Sequence, residues 1–185
     1  MRKLIESTFV SLDGTMSAPR KWSPPYLDEE LAVYASNLLF SSDALLLGRK
    51  TYELFAKGWP ARSGDPYSDR INSMPKYVAS RTLKDTTWNA SVIGNQDLVA
   101  DVTRLKEQPG GWSLLKFGTG ELSQALFKAN LVDEYHFWIF PVIAGTGDRL
   151  FDGMDLTHLE LLDTTPFKSG IVVMKYEPKQ DAGAA

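Results

Sequence analysis

Residues 44–52 read Ala44-Leu45-Leu46-Leu47-Gly48-Arg49-Lys50-Thr51-Tyr52, and the rest of the chain is best read outward from them. The run Ala44 to Leu47 is too short for a helix and predicts a buried strand. Gly48 makes the turn, and Thr51 to Ala56 predicts a helix that Gly58-Trp59-Pro60 ends. In open α/β sheets, ligands bind beyond the carboxyl ends of the strands. A helix N-terminus at that point offers free N–H groups and a positive dipole end, which suits a phosphate. Arg49 and Lys50 add charge for a doubly ionised one. The same residues also read as two solvated cations beside a turn.

A second junction of this kind follows. The strand Leu114 to Phe117 enters Gly118-Thr119-Gly120-Glu121-Leu122, and a helix with Leu122, Ala125, Leu126 and Ala129 facing inward comes next. Glycines there let backbone approach a pyrophosphate without interference from Cβ. The pattern is not a full G-x-G-x-x-G, since position 123 is Ser, and alone it reads equally as a tight turn. Two strand–Gly–helix junctions in one small sheet point to a dinucleotide lying across them. Neither carries a Walker-type G-K-S/T, which disfavours nucleotide hydrolysis. A third strand, Lys76 to Ser80, ends in Ser80 and Arg81, placed by the same geometry near the first junction or else a plain strand end with a surface Arg.

The flanking segments set the fold class. Lys3 to Val10 is a strand with apolar residues on both faces, hence central. Ser11 to Pro25 is a long loop, and a helix from about Tyr26 carries Leu27, Leu31, Tyr34, Ala35 and Leu38 on one stripe. Ala61 to Met74, with Gly64-Asp65-Pro66, reads as a surface loop. Ser91 to Ile93 is a strand, and Asn95 caps a helix of Leu98, Val102 and Leu105 ended by Pro109-Gly110-Gly111. Glu134 to Phe140 is an aromatic strand, either central or facing a dimer interface. Leu159 to Thr164 and Ile171 to Tyr176, joined by Pro166 to Gly170, form an antiparallel hairpin at one edge. The expectation is one three-layer α/β domain over residues 1–178, its mostly parallel sheet flanked by helices, with a flexible tail at 179–185.

Composition narrows the chemistry. A length of 185 residues suits one domain. Hydrophobic residues at 43% and charged residues at 23% argue against intrinsic disorder. A net charge of −3 argues against a nucleic-acid binder. No apolar run is long enough for a membrane helix, and the start lacks a signal-peptide core, so a cytoplasmic location is expected. Cys is absent and only His136 and His158 occur, which removes thiolate catalysis and makes a multi-His metal site improbable. The remaining chemistry is that of carboxylates, hydroxyls, Lys/Arg or a borrowed cofactor.

These pieces occur in the order seen in the dihydrofolate reductase-like superfamily, which the chain resembles. Leu47 to Tyr52 resembles its M-G-R-K-T-F/W segment, which contacts the NADP phosphates. Lys76 to Arg81 resembles its N-V-V-L-S-R strand, whose Ser and Arg recognise the adenosine 2′-phosphate. Phe117 to Leu122 resembles its I-G-G-G-E-L turn over the pyrophosphate. Other features resemble the reductase domain of bacterial riboflavin biosynthesis proteins: Ser11-Leu12-Asp13-Gly14, then Leu131-Val132-Asp133-Glu134, Pro141 to Gly147 in a P-x-x-x-G-x-G pattern, and Leu150-Phe151. The resemblance implies a mixed sheet of about eight strands and a homodimer. Departures are Thr119 in place of the second glycine and Lys21-Trp22-Ser23-Pro24-Pro25 after the first loop. No deaminase segment with zinc ligands precedes the match, so a stand-alone relative is expected.

The resemblance implies an NADPH-dependent reductase acting on a small pteridine-, pyrimidine- or flavin-like heterocycle, with hydride supplied by the cofactor. NADPH would span Gly48, Arg49, Lys50 and Thr51, then Ser80 and Arg81, then Gly118, Thr119, Gly120, Glu121 and Leu122. Three cations, Arg49, Lys50 and Arg81, favour NADP over NAD. Dihydrofolate reductases place a carboxylate early in the helix after the first loop; here that implies Glu30 first and Asp28 second. Acids in a first helical turn are also favoured by the macrodipole alone. Asp13 either serves the nicotinamide loop or makes a turn with Gly14, and Trp22 and Tyr52 either line the substrate pocket or pack. His136 is expected to face solvent or an interface. The alternative is a non-catalytic NADP(H)- or pterin-binding protein that retains the fold.

Overall fold

In a computed structural model, which describes residues 1–109 and 111–179, eight strands form one sheet in the order β4-β3-β2-β5-β1-β6-β8-β7. The strands are β1 (Lys3–Ser11), β2 (Ala44–Gly48), β3 (Lys76–Ala79), β4 (Ala90–Ile93), β5 (Ser113–Phe117), β6 (Glu134–Phe140), β7 (Leu159–Pro166) and β8 (Val172–Pro178). The helices are α1 (Pro19–Trp22), α2 (Glu29–Phe40), α3 (Arg49–Ala56), α4 (Pro66–Ser73), α5 (Leu98–Glu107) and α6 (Glu121–Lys128). From β4 through β6 every pairing is parallel. Strand β8 then runs antiparallel to β6, and β7 antiparallel to β8.

Side-chain alternation on β2 shows how the sheet is covered. Ala44 and Leu46 join a core with Val102 and Leu105 of α5 and Leu126 of α6. Leu45 and Leu47 join a second core with Leu39 of α2, Tyr52 of α3 and Ile71 of α4. Both faces are therefore dry, which is why the strand reads as an unbroken apolar run. A third cluster packs Leu31 of α2 against Trp138 and Phe140 of β6, Ile171 just before β8 and Val173 within it. The aromatic strand β6 is thus central, paired on both edges and buried on both faces.

Several expectations are corrected. The stretch Ala61 to Met74 is no loop throughout, because α4 occupies Pro66–Ser73 and buries Ile71 completely. Asp65 caps that helix by accepting from Ser68 N–H at 2.9 Å, and Pro66 stands at its first turn, a helix start rather than a turn. The cap of α5 is Asp97, not Asn95; its carboxylate accepts from Ala100 N–H at 3.0 Å. Helix α2 begins at Glu29, so Leu27 stays outside its stripe and is 54% exposed. Short turns, α1 and a 3-10 turn at Pro24–Tyr26, interrupt the loop Ser11 to Pro25. His136 faces neither solvent nor a surface: it is buried, with Nδ1 2.8 Å from Tyr34 Oη and Nε2 2.7 Å from Glu134 Oε1. Lys179 N–H still donates to His158 O at 2.9 Å, and the rest of the expected tail, 180–185, lies outside the described residues, as does Gly110 of the turn after α5.

Candidate active site

Strand pairing brings the two glycine junctions together. Strands β2 and β5 are neighbours in parallel register, so both deliver their glycines to the same edge of the sheet. A Cβ at Gly48 would lie 3.8 Å from Leu122 Cδ2, and one at Gly118 would lie 3.9 Å from Thr51 Oγ1. Strand β3 lies on the other side of β2, pairing Ala79 with Gly48, and so adds Ser80 and Arg81 to the row. Three neighbouring strand ends span about 10 Å, a width that suits the adenosine and pyrophosphate of a dinucleotide.

Among the described residues, the helices of eight residues or more divide into two kinds at their N-termini. Helices α2, α4 and α5 are capped by Asp28, Asp65 and Asp97, each accepting a backbone N–H. Helices α3 and α6 start at Gly48 and Gly120 and take no side-chain cap. Their first N–H groups remain free for a ligand, and the macrodipole makes that ligand an anion. A Cβ at Gly120 would meet no atom within 4 Å, so the space above the turn is open. The residues fit the phosphates of a dinucleotide.

The polar rim has a definite arrangement. Arg49 Nη1 donates to Thr82 Oγ1 at 2.6 Å and Nε to Glu53 Oε1 at 2.6 Å, which ties the start of α3 to the segment after β3. Ser80 Oγ accepts from Thr82 N–H at 3.2 Å and Leu83 N–H at 3.0 Å, so its side chain builds the turn that presents Arg81. Lys50 and Arg81 are exposed. The Gly118–Thr119 peptide is trans, and Gly118 N–H donates to Ser7 O of β1 at 2.9 Å.

The motifs Ser11 to Gly14 and Pro141 to Gly147, far apart in sequence, form one double loop over the end of β1 and β6. Asp13 accepts from Ser11 Oγ (2.6 Å), Ala144 N–H (3.0 Å) and Gly145 N–H (2.8 Å). The Ser11 hydroxyl foremost, then the two amides, hold its carboxyl down at about 2. Met16 N–H donates to Asp148 O at 3.0 Å, and Asp148 N–H to Ser17 Oγ at 2.8 Å. Only glycine fits at 147, where a Cβ would lie 2.7 Å from Ser17 Cβ and 2.8 Å from Thr15 Cγ2. The Thr119 hydroxyl touches the Met16 sulfur, so the double loop reaches the second glycine junction.

The proposed acids are all engaged elsewhere as acceptors. Asp28 caps α2, and the Leu31 N–H at 2.9 Å holds its carboxyl below the usual range. Glu30 Oε2 accepts from Lys168 N–H at 2.6 Å, which turns it toward the β7–β8 link. Trp22 stands edge-on to Phe140 at 5.1 Å, with Tyr26 at 5.9 Å and Phe9 at 4.8 Å from the same ring, an aromatic wall at the end of β6. Tyr52, in contrast, lies in the core, its hydroxyl accepting from Thr87 N–H at 2.8 Å, and does not line the cleft. Sequence reading missed the buried pair of Glu6 and Lys116, 3.1 Å apart beneath Gly118. Its signal was Glu6 in β1 and Lys116 in β5, charges inside buried strands that become a pair once the register is known.

The sheet order and the C-terminal antiparallel strands define a dihydrofolate reductase-like fold. The dihydrofolate reductase of Enterococcus faecalis, solved in complex with NADP(H), superposes with a TM-score of 0.64 over 96% of this chain and 97% of its own, at 15% identity. Within that class the chain belongs to the RibD C-terminal domain family, whose model matches residues 2–173. A putative riboflavin biosynthesis protein from Shewanella sp. PV-4 superposes with a TM-score of 0.68 and 21% identity, covering 96% of this chain and 99% of the other. The protein YyaP of Bacillus subtilis is 29% identical over 184 residues, which cover 95% of this chain and 94% of YyaP.

Proposed function

We propose that this protein is an NADPH-dependent reductase that transfers hydride to a small pteridine-, pyrimidine- or flavin-like heterocycle. The observation that carries the reading is the pair of uncapped, glycine-started helix N-termini that meet at one end of the sheet, with Arg49, Lys50 and Arg81 along one rim. Free N–H groups of α3 and α6 would hold the pyrophosphate, and Arg81 with Arg49 the 2′-phosphate. The bound cofactor supplies the hydride. The chain's own residues orient it, and the double loop Ser11 to Ser17 with Pro141 to Phe151 covers the reacting end against water. Trp22 and Phe9, packed on the buried Phe140, would give a planar heterocycle an apolar wall. Asp13, Asp28 and Glu30 act in this reading as backbone acceptors that shape the loops. Among the described residues no helix is long and apolar enough to cross a membrane; the reading places the protein in the cytoplasm as a homodimer.

The test is cofactor titration followed by turnover. NADPH should bind at least about tenfold more tightly than NADH, since a charge-assisted contact to the 2′-phosphate is worth about 1.5–3 kcal/mol. Arg81→Ala should erase most of that preference. Equal affinity for the two cofactors in the wild type would overturn the assignment. NADPH oxidation is then screened against dihydrofolate, ribosylaminouracil analogues and other imines or quinoids. Tight binding with no turnover on any of them would favour the non-catalytic binding protein. Sedimentation velocity checks the dimer.

A further inference from the structure

The Gly118–Gly120 turn rests on a buried charge. Lys116, 2% exposed, and Glu6, fully buried, stand opposite each other in the β1–β5 register, with Nζ 3.1 Å from Oε2. The same ammonium donates to Ser123 Oγ at 2.6 Å and to the Gly118 carbonyl oxygen. One group therefore holds a strand, the turn that leaves it and the first turn of α6.

The bond to Gly118 O has a consequence on the opposite side of the peptide. In a trans peptide the carbonyl and the following N–H point in opposite directions. A carbonyl drawn inward to Lys116 turns the Thr119 N–H outward, toward the open space above the turn. Were this peptide flipped, a carbonyl oxygen would face that space and repel an anion. Gly118, at φ +71°, gives the turn the freedom to adopt either arrangement, so something else must select one. Apolar residues of similar volume are often as stable as a buried ion pair or more so, so stability alone gives little reason for charges here.

We propose that Lys116, held by Glu6, is a positioning residue for cofactor binding: it orients the Gly118–Thr119 peptide so that its N–H meets the pyrophosphate. This rests on the NADPH reading above. Lys116→Met alone would leave Glu6 buried without a partner, so the test uses two double variants of similar volume, Glu6→Leu/Lys116→Met and Glu6→Gln/Lys116→Met. Each is checked by thermal unfolding, and the Kd for NADPH and NADH is measured by fluorescence titration. The expected result is a melting temperature close to the wild type, with both affinities weakened about tenfold or more. The NADPH-to-NADH ratio should stay at the wild-type value, because the 2′-phosphate end is untouched. Wild-type affinity in either folded variant overturns the proposal and leaves the cofactor reading standing. A loss confined to NADPH also overturns it, since the effect would then lie at the wrong end of the cofactor. Wild-type protein that binds neither nucleotide overturns both.

Discussion

Helices α3 and α5 run from opposite faces of the same sheet, yet their N-termini are built on opposite plans. Helix α5 carries its own carboxylate, Asp97, on the Ala100 N–H. Helix α3 starts at Gly48 with nothing in that place, and α6 starts at Gly120 in the same way. A cap on α3 would add stability, because replacing glycine at an N-cap by Asp gains a few tenths of a kcal/mol. These two helices follow the neighbouring strands β2 and β5, and β2 also pairs with β3, which leads into Ser80 and Arg81. Among the described helices of eight residues or more, uncapped donors are therefore kept where a phosphate would lie and an Asp cap is present elsewhere, at a small cost in stability.

The sharpest way to break this comparison is to make α3 like α5. Gly48 has extended backbone angles, φ −72° and ψ 156°, and a Cβ there meets only ordinary contact with Leu122. Gly48→Asp should therefore fold, with a melting temperature at or slightly above the wild type. Its carboxylate would take the N–H groups and repel the phosphates, so NADPH affinity should fall about 100-fold. Undiminished binding by a folded Gly48→Asp would show that α3 does not hold the cofactor.

The converse change removes a cap from α5. Asp97→Ala should cost about 1 kcal/mol, a drop of about 2–4 °C in melting temperature for a chain of this size. Calorimetry reads that loss, and NADPH affinity should not move. A shift in affinity would mean that the capped helices also communicate with the cleft.

The smallest expected effect concerns the double loop. Asp13 titrates in the folded protein at about 2, below its ordinary value of 3.8. A carboxyl with a depressed folded pKa contributes stability above its unfolded pKa and loses it as pH falls toward the folded one. The loop pair should therefore loosen between about pH 3.8 and 2, visible as a change in Trp22 fluorescence. Asp13→Asn should flatten that transition and leave the neutral-pH fold intact. A variant with the same acid transition would place the titrating group elsewhere.

How much was legible in the sequence follows from the range of each interaction. Both glycine junctions could be read because strand, turn and helix start are written in fewer than about ten consecutive residues and each obeys local rules. The helix α4 was equally local, yet Gly64 drew Asp65-Pro66 into a turn reading when those two residues are a cap and a first helical position. Glu30 and Asp28 could be placed at a helix start, but not the direction they face. That depended on the β7–β8 link, whose Lys168 N–H takes the Glu30 carboxylate from across the fold.

Local patterns in the sequence determined the α/β class, the succession of the eight strands, and the two strand–glycine–helix junctions. Those follow from apolar periodicity and from the conformational freedom of glycine, which act over a few residues. Only the tertiary structure decided that β2, β3 and β5 stand side by side and so bring Gly48, Ser80 and Gly118 into one row. It alone set Lys116 of β5 against Glu6 of β1 and clasped Asp13 to the loop after β6. Those are matters of register and packing between distant segments, and only the burial of both sheet faces selects one pairing among many.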